Sequence, residues 1–241
     1  MRRFILFASA FLLLVGFLSL WAMARYHNIP ETPRDTITIP EGWTVSDVNL
    51  HLKERGVLVN EELSGDLEGY LFPDTYEFFL DSTAAVVQQK FQDNFYIQLK
   101  KMGIDVLEDN LREIIIVASL LEKEVRGLRE KRIASGILWR RLEKEMPLQV
   151  DATICYVKKK IESCLPITAS DKKIDSEYNT YLYRGFPPGP ISNPGADSIL
   201  AAARPVVSPY WYYLSSDGGG ETIFSETLDE HRQNIIKYLN E

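Results

Sequence analysis

Two glutamates two residues apart, Glu122 and Glu124, sit in the string Ala118-Ser119-Leu120-Leu121-Glu122-Lys123-Glu124. They are the residues whose types and spacing most suggest chemistry. At about 100° per residue, a helix through this segment places Glu122 within roughly 40° of Leu111, Ile115 and Ala118. Its carboxyl then extends an apolar stripe, where desolvation disfavours the charged form and raises the pKa. A carboxyl still protonated near neutrality is what a general acid for glycosidic cleavage must be. The same position also suits a helix-end glutamate that faces solvent or pairs with Arg126 four residues on. Glu124 is the competing candidate. It lies behind Val117 and Leu120, on a stripe that also carries Glu113, and reads as more solvated.

Other chemistries find less support. His27, His51 and His231 are scattered, and neither H-E-x-x-H nor C-x-x-C occurs, so no metal site is expected. Ser170-Asp171-Lys172-Lys173 matches S-x-x-K, but without S-D-N or K-T-G elsewhere it reads as a chance match. No Gly-x-Ser-x-Gly elbow accompanies His231.

The elements that must position these glutamates follow from periodicity. Thr36 to Ile39 alternates and reads as a short strand stopped by Pro40. Thr44-x-x-Asp47 opens a helix with Val45, Val48 and Leu52 on its apolar face and Gly56 as its stop. This strand–helix piece is too small for its own core and must lean on the rest of the chain or on another one. Ser82 is placed to cap the next helix, whose apolar positions are Val87, Phe91, Phe95 and Leu99, with Gly103 past its end. A third helix, from near Asn110 through the Glu122 string, is apolar almost all round and should be central. A fourth covers about residues 129–145. Residues 147–180 alternate loosely and suggest short strands. Residues 184–195, with four Pro and three Gly, read as a stiff surface loop. Tyr210–Leu214 and Thr222–Ser225 suggest a hairpin, and a last helix runs from about Thr227 to Leu239. Without a βαβ rhythm the fold class is α+β.

The 241 residues are 45% hydrophobic and 25% charged, which excludes bulk disorder and a multi-span membrane protein. The formal charge is −7. An acidic body disfavours nucleic-acid binding. Residues 4–24 lack any ionisable side chain, long enough at about 1.5 Å per residue to span a bilayer. Arg2 and Arg3 precede that run, so a single-pass anchor with a cytoplasmic N-terminus and an exported body is expected. Ala22-Met23-Ala24 keeps a cleavable signal peptide open as the rival. Cys155 and Cys164 fall in the exported part, where they can close a disulfide or remain two buried thiols.

Five strings in order carry a family resemblance. They are Glu68-Gly69-Tyr70-Leu71-Phe72-Pro73-Asp74-Thr75-Tyr76, the Ala118–Glu124 string, Leu148-Gln149-Val150-Asp151-Ala152-Thr153-Ile154, Tyr178-Asn179-Thr180-Tyr181 followed by Gly185-Phe186-Pro187-Pro188-Gly189-Pro190-Ile191-Ser192-Asn193-Pro194-Gly195-Ala196, and Phe224-Ser225-x-Thr227-x-x-x-His231. Together they resemble the MltG (YceG-like) endolytic murein transglycosylases, membrane-anchored enzymes that cut nascent peptidoglycan strands. The resemblance implies a transmembrane anchor over residues 1–25, a tether and LysM-like piece over 26–65, and a catalytic domain over 66–241 with a central buried helix. It implies Glu122 as the catalytic residue, with Gln149, Asp151, Tyr178, Asn179 and Thr180 lining the glycan cleft. No cofactor is implied. The implied partners are glycan strands, the membrane and peptidoglycan synthases.

Two departures stand out. A LysM-like region of a hundred residues or so usually precedes the first string, whereas here only Thr36 to about Val59 resembles its start. Many relatives carry Gly-Gly-His before Phe-Ser, where this chain has Gly219-Gly220-Glu221. The implied reaction needs one carboxyl. It protonates the oxygen between N-acetylmuramic acid and N-acetylglucosamine, then deprotonates the sugar's own C6 hydroxyl, which attacks C1 and leaves a 1,6-anhydro end. Two other readings stay open: a lysozyme-type hydrolase using Glu122 and Asp151, and a non-catalytic, membrane-tethered glycan-binding or scaffold relative.

Overall fold

The computed structural model describes residues 33–105, 110–158, 164, 167–215 and 221–239. The expected anchor over residues 1–25 and the start of the tether lie outside the described residues. Among the described residues no helix is long and apolar enough to cross a membrane. The chain divides into residues 1–34 and a compact unit from Asp35 onward. That unit is α+β, with two hydrophobic clusters.

The first cluster joins β1 (Arg34–Thr38), α1 (Val45–Glu54), β2 (Thr75–Phe79) and the start of α2 (Ala84–Met102). Strand β1 pairs with β2. Helix α1 opens with the expected capping box: Thr44 accepts from the Asp47 N–H, and Asp47 accepts from the Thr44 N–H. Its face of Val45, Val48 and Leu52 is buried against Tyr76, Phe78, Val87 and Phe91. The short strand–helix piece does lean on the body that follows. The cap of α2 is Thr83 rather than Ser82, and the Ala84 N–H is taken by Glu61 from outside the helix. Gly103 closes α2 at φ +68°, a conformation that favours glycine.

The second cluster surrounds α3 (Leu111–Glu124). Every residue from Ile114 to Leu121 is buried, so this helix is the centre of the molecule as its composition requires. Helices α4 (Leu128–Glu143) and α6 (Ala196–Ala203) pack on it. Strands β3 (Tyr212–Ser215) and β4 (Thr222–Ser225) form the expected antiparallel pair, with Tyr212 opposite Ser225, and α7 (Leu228–Tyr238) packs beside them.

Two expectations are corrected. Residues 147–180 hold no strand among the described residues; they hold α5 (Asp151–Lys158) and a 3₁₀ turn at Asp171–Lys173. The β-branched string in α5 suggests a strand locally, but the N–H of Ala152 is captured by the side chain of Glu124. A distant carboxylate thus satisfies a helix N-terminus, and tertiary context overrides local propensity. The second correction concerns residues 184–195. Ile191, Ser192 and Asn193 are buried, so this segment ends as an internal strut. Its prolines remove amides that would need partners, and its remaining polar groups find them in α3 and in the first cluster. The Ile191 N–H donates to Ser119 Oγ, and Ser192 Oγ donates to the Ser119 carbonyl.

Asn193 joins the two clusters. Its Oδ1 accepts from the N–H groups of Gly69 and Leu71, each at 2.9 Å. Its Nδ2 donates to the Trp43 carbonyl and to Glu68 Oε1, and its own N–H donates to the same Trp43 carbonyl. Gly69 is held so close that a Cβ there would fall 2.6 Å from Pro190.

Asn193→Ala strands two buried N–H groups, at about 1–3 kcal/mol each. Urea unfolding should therefore show a loss of about 2–6 kcal/mol, and a loss under about 1 kcal/mol would contradict the joining role. Cys155 and Cys164 form a disulfide, with Cα atoms 5.4 Å apart. Thiol titration of the denatured, unreduced protein should find no free thiol, and two per chain would contradict the bridge.

Candidate active site

The two glutamates at the end of α3 occupy different environments. Glu122 points to the N-terminus of α6. Its Oε2 accepts from the Gly195 N–H at 3.0 Å and from Ser198 Oγ at 2.6 Å. Its Oε1 lies 3.3 Å from Lys131 Nζ. Both side chains of this ion pair are under a tenth exposed. Glu122 therefore caps α6 across the core, where a helix N-terminus favours negative charge, and holds a buried ammonium. The stripe that suggests its burial is real, since Ile115 and Ala118 are inaccessible. The burial comes with three donors for the carboxylate. Nearby Glu41 is held above the usual carboxylate range, by burial first and by the charge of Glu122 second.

Glu124 ends α3 on the wall of an open cleft of about 1020 Å³. One of its oxygens accepts from the Ala152 N–H at 3.1 Å; no other donor reaches the carboxyl among the described residues. Burial pushes it up to about 7, against the lowering effect of that hydrogen bond and with a further push from the charge of Asp151. Tyr213, on the same wall, is raised by its own burial and by the charge of Glu124. The helix end is also held in place by Ser215 Oγ, which donates to the Glu124 carbonyl.

The remaining expected site residues divide. Gln149 and Asp151 line the cleft. Gln149 sits at φ +57°, a strained conformation for a side-chain-bearing residue, and its N–H donates to the Thr180 carbonyl. Tyr178, Asn179 and Thr180 do not line the cleft. Tyr178 packs its ring on Tyr156, 4.9 Å between centroids. Asn179 is fully buried and closes its own loop: its amide donates to the carbonyls of Lys172 and Ile174, and its Oδ1 accepts from the Tyr181 N–H. Thr180 Oγ1 accepts from the Val150 N–H. Asn179 and Thr180 therefore shape the turn that presents Gln149 and Asp151.

Three further cleft residues, Tyr181, Arg141 and Tyr212, lie outside the expected set. Tyr181 donates its hydroxyl to Asp151 Oδ1, and it ends the Y-N-T-Y string, which was the available signal. Arg141 donates to the carbonyls of Trp211 and Leu148; as one basic residue on an amphipathic helix it gave no signal. Tyr212 stacks on His231, 5.2 Å between centroids, and His231 is held below its ordinary pKa by burial, then by Arg141. Among the described residues no group of His, Cys, Asp and Glu is arranged to hold a metal ion.

The profile of the YceG-like family matches residues 19–237. The chain belongs to that family. It is 34% identical over 187 residues to the endolytic murein transglycosylase of Bacillus subtilis (strain 168), covering 75% of this chain and 50% of the relative. It is 29% identical over 185 residues to the endolytic murein transglycosylase of Streptococcus pneumoniae serotype 2 (strain D39), covering 72% and 32%. The chain thus spans about half or less of the length of these curated relatives. A crystal structure of a YceG-like protein from Listeria monocytogenes is similar at a TM-score of 0.66 and 30% identity, covering 83% of this chain and 75% of that one. In this YceG-like chain the two glutamates of the E-K-E string have separate surroundings, a structural one for Glu122 and a cleft for Glu124.

Removing Glu122 takes from buried Lys131 its ion-pair partner and should cost about 3–5 kcal/mol. Urea unfolding of Glu122→Ala checks this, and adding Lys131→Met should recover most of the loss. A Glu122→Ala protein as stable as the parent would contradict the capping role.

Proposed function

We propose that this chain is a membrane-anchored lytic transglycosylase that cuts the bond between N-acetylmuramic acid and N-acetylglucosamine in peptidoglycan, with Glu124 as its acid and base. The observation that carries the reading is the Glu124 carboxyl: it stands on the cleft wall and is pushed up to about 7. Family membership and the names of the curated relatives supply the substrate class.

At neutral pH a carboxyl of that kind exists in both protonation states, as a group that gives and then retakes a proton requires. Glu124 would protonate the glycosidic oxygen as the bond breaks. The resulting carboxylate would take the proton of the sugar's C6 hydroxyl, whose oxygen attacks C1 and forms the 1,6-anhydro ring. The nucleophile is part of the substrate, so its effective concentration is high and no activated water is needed. Gln149 is the cleft amide available to stabilise the charge that develops on the sugar ring. Asn179 has its amide hydrogen bonds inside its own loop and acts by shaping the turn. Asp151, hydrogen-bonded by Tyr181, supports the turn and the local field rather than the proton transfer.

Glu124→Gln keeps the side-chain shape but cannot donate and retake a proton. Product formation from purified murein strands should fall by about 10²–10⁴-fold with the fold intact by circular dichroism. Mass spectrometry of the parent's products should show anhydro ends. Reducing ends gained with water would favour a hydrolase, and an unimpaired Glu124→Gln would remove Glu124 from the mechanism. Because the acid must be protonated, kcat/KM should fall as pH rises through about 7; a profile flat to pH 9 would contradict this.

Residues 4–24 behind Arg2 and Arg3 are the proposed anchor, with the body on the far side of the membrane. A reporter fused after Glu241 should behave as exported, and the protein should stay with membranes through a high-salt wash. Recovery of a soluble chain beginning near Arg25 would instead mean cleavage after Ala24.

A further inference from the structure

Three cations line the cleft, and their surroundings differ. Arg141 spends its Nε, Nη1 and Nη2 groups on the backbone carbonyls of Trp211 and Leu148. Burial lowers the pKa of Lys123, against the opposing charges of Asp47, Glu122 and Glu68. Lys172 is different. Its ammonium lies 4.6 Å from the centroid of the Tyr181 ring and 3.9 Å from Asp151 Oδ1. The second distance is beyond hydrogen-bond range. The same Asp151 oxygen already accepts the Tyr181 hydroxyl. The neighbouring carboxylate, Asp171, is committed to Lys158 at 2.9 Å and to Thr168. Among the described residues Lys172 Nζ therefore donates no hydrogen bond, yet it is held in place by the Tyr181 ring and by the turn at Asp171–Lys173. Its side chain is 39% exposed, so it remains reachable from the cleft.

An ammonium with unused donors, fixed on the wall of a cleft in a protein of net charge −7, is placed for an anionic ligand group. We propose that Lys172 is a specificity residue that pairs with a carboxylate carried by the glycan strand, at the end of the cleft formed by Asp151 and Tyr181. The inference rests on the proposed reading of the cleft as a glycan site and adds the charged group it selects. In strands freed of their peptide stems, muramic acid carries a lactyl ether ending in a free carboxylate, whereas N-acetylglucosamine carries none. A cation beside the sugar chain therefore tells the two apart and sets the register in which the strand meets Glu124. Tyr181 acts as the fixed platform for that cation, and Asp151 holds the Tyr181 hydroxyl.

The test measures binding without turnover, using the full chain in its Glu124→Gln form. The probes are peptide-free glycan strands with free lactyl carboxylates, and the same strands with those carboxyls methyl-esterified. Adding Lys172→Met should weaken binding of the carboxylate strands by roughly two- to fivefold, the range for one partly exposed ion pair. Esterification should weaken binding to the Lys172 protein by a similar factor and make no further difference to Lys172→Met. Equal losses on esterified and carboxylate strands, or no loss on either, would overturn the pairing while leaving the glycan site in place. Failure of the folded Glu124→Gln protein to bind carboxylate strands at all would overturn both this inference and the reading it rests on.

Discussion

Buried polar groups must find partners, and in this protein that constraint converges on residues 190–195. The segment passes between two hydrophobic clusters, and its polar atoms find partners in α3, in the Gly69–Leu71 stretch and at Trp43. Ser119 of the central helix holds its start through the Ile191 N–H. Asn193 ties Gly69 and Leu71 to Trp43 at its middle. Glu122 takes the Gly195 N–H at its end, where α6 begins. Removing any one of these leaves a desolvated group without a partner, which costs more than an average hydrogen bond contributes. The position of the cleft follows from this segment, because it fixes α3 against α6 and so fixes where α3 ends.

The end of α3 then does two things two residues apart. A helix turns about 200° over two residues, so Glu122 and Glu124 face opposite ways. One side meets the N-terminus of α6 and Lys131, a site rich in donors that holds a carboxylate as a structural ion. The other side meets the cleft, where a single backbone donor from α5 does not offset desolvation and the charge of Asp151 adds to its effect. The difference in donor supply separates a stabilising glutamate from one suited to proton transfer. Lys123 between them lies under the influence of Asp47, Glu122 and Glu68.

Much of the fold was legible in the sequence, because local signals there agreed with packing. The Thr44–Asp47 box, the Val87–Phe91–Phe95–Leu99 stripe and the Gly103 stop act within one helix. The short strands suggested over residues 147–180 give way to α5 because its N-terminus is satisfied by Glu124, twenty-eight residues away. The strut at 190–195 was misread as surface because composition reports Pro and Gly but not the partners waiting in another cluster. Among the candidate site residues, Gln149 and Asp151 do face the cleft, while Asn179 and Thr180 support the turn beneath them. The apolar stripe marks Glu122 as buried, but its donors come from Gly195, Ser198 and Lys131, which the stripe does not contain. Glu124 looked solvated because its stripe includes Glu113, which lies three turns back and far from the cleft.

The central claim is that the proton used in cleavage resides on Glu124. The most direct measurement is a carboxyl-carbon NMR titration of protein labelled at glutamate, with the Glu124 signal identified by its loss in Glu124→Gln. This signal should titrate at about 7. A midpoint near the ordinary value of 4.5 would leave the cleft without its proton donor and contradict the account.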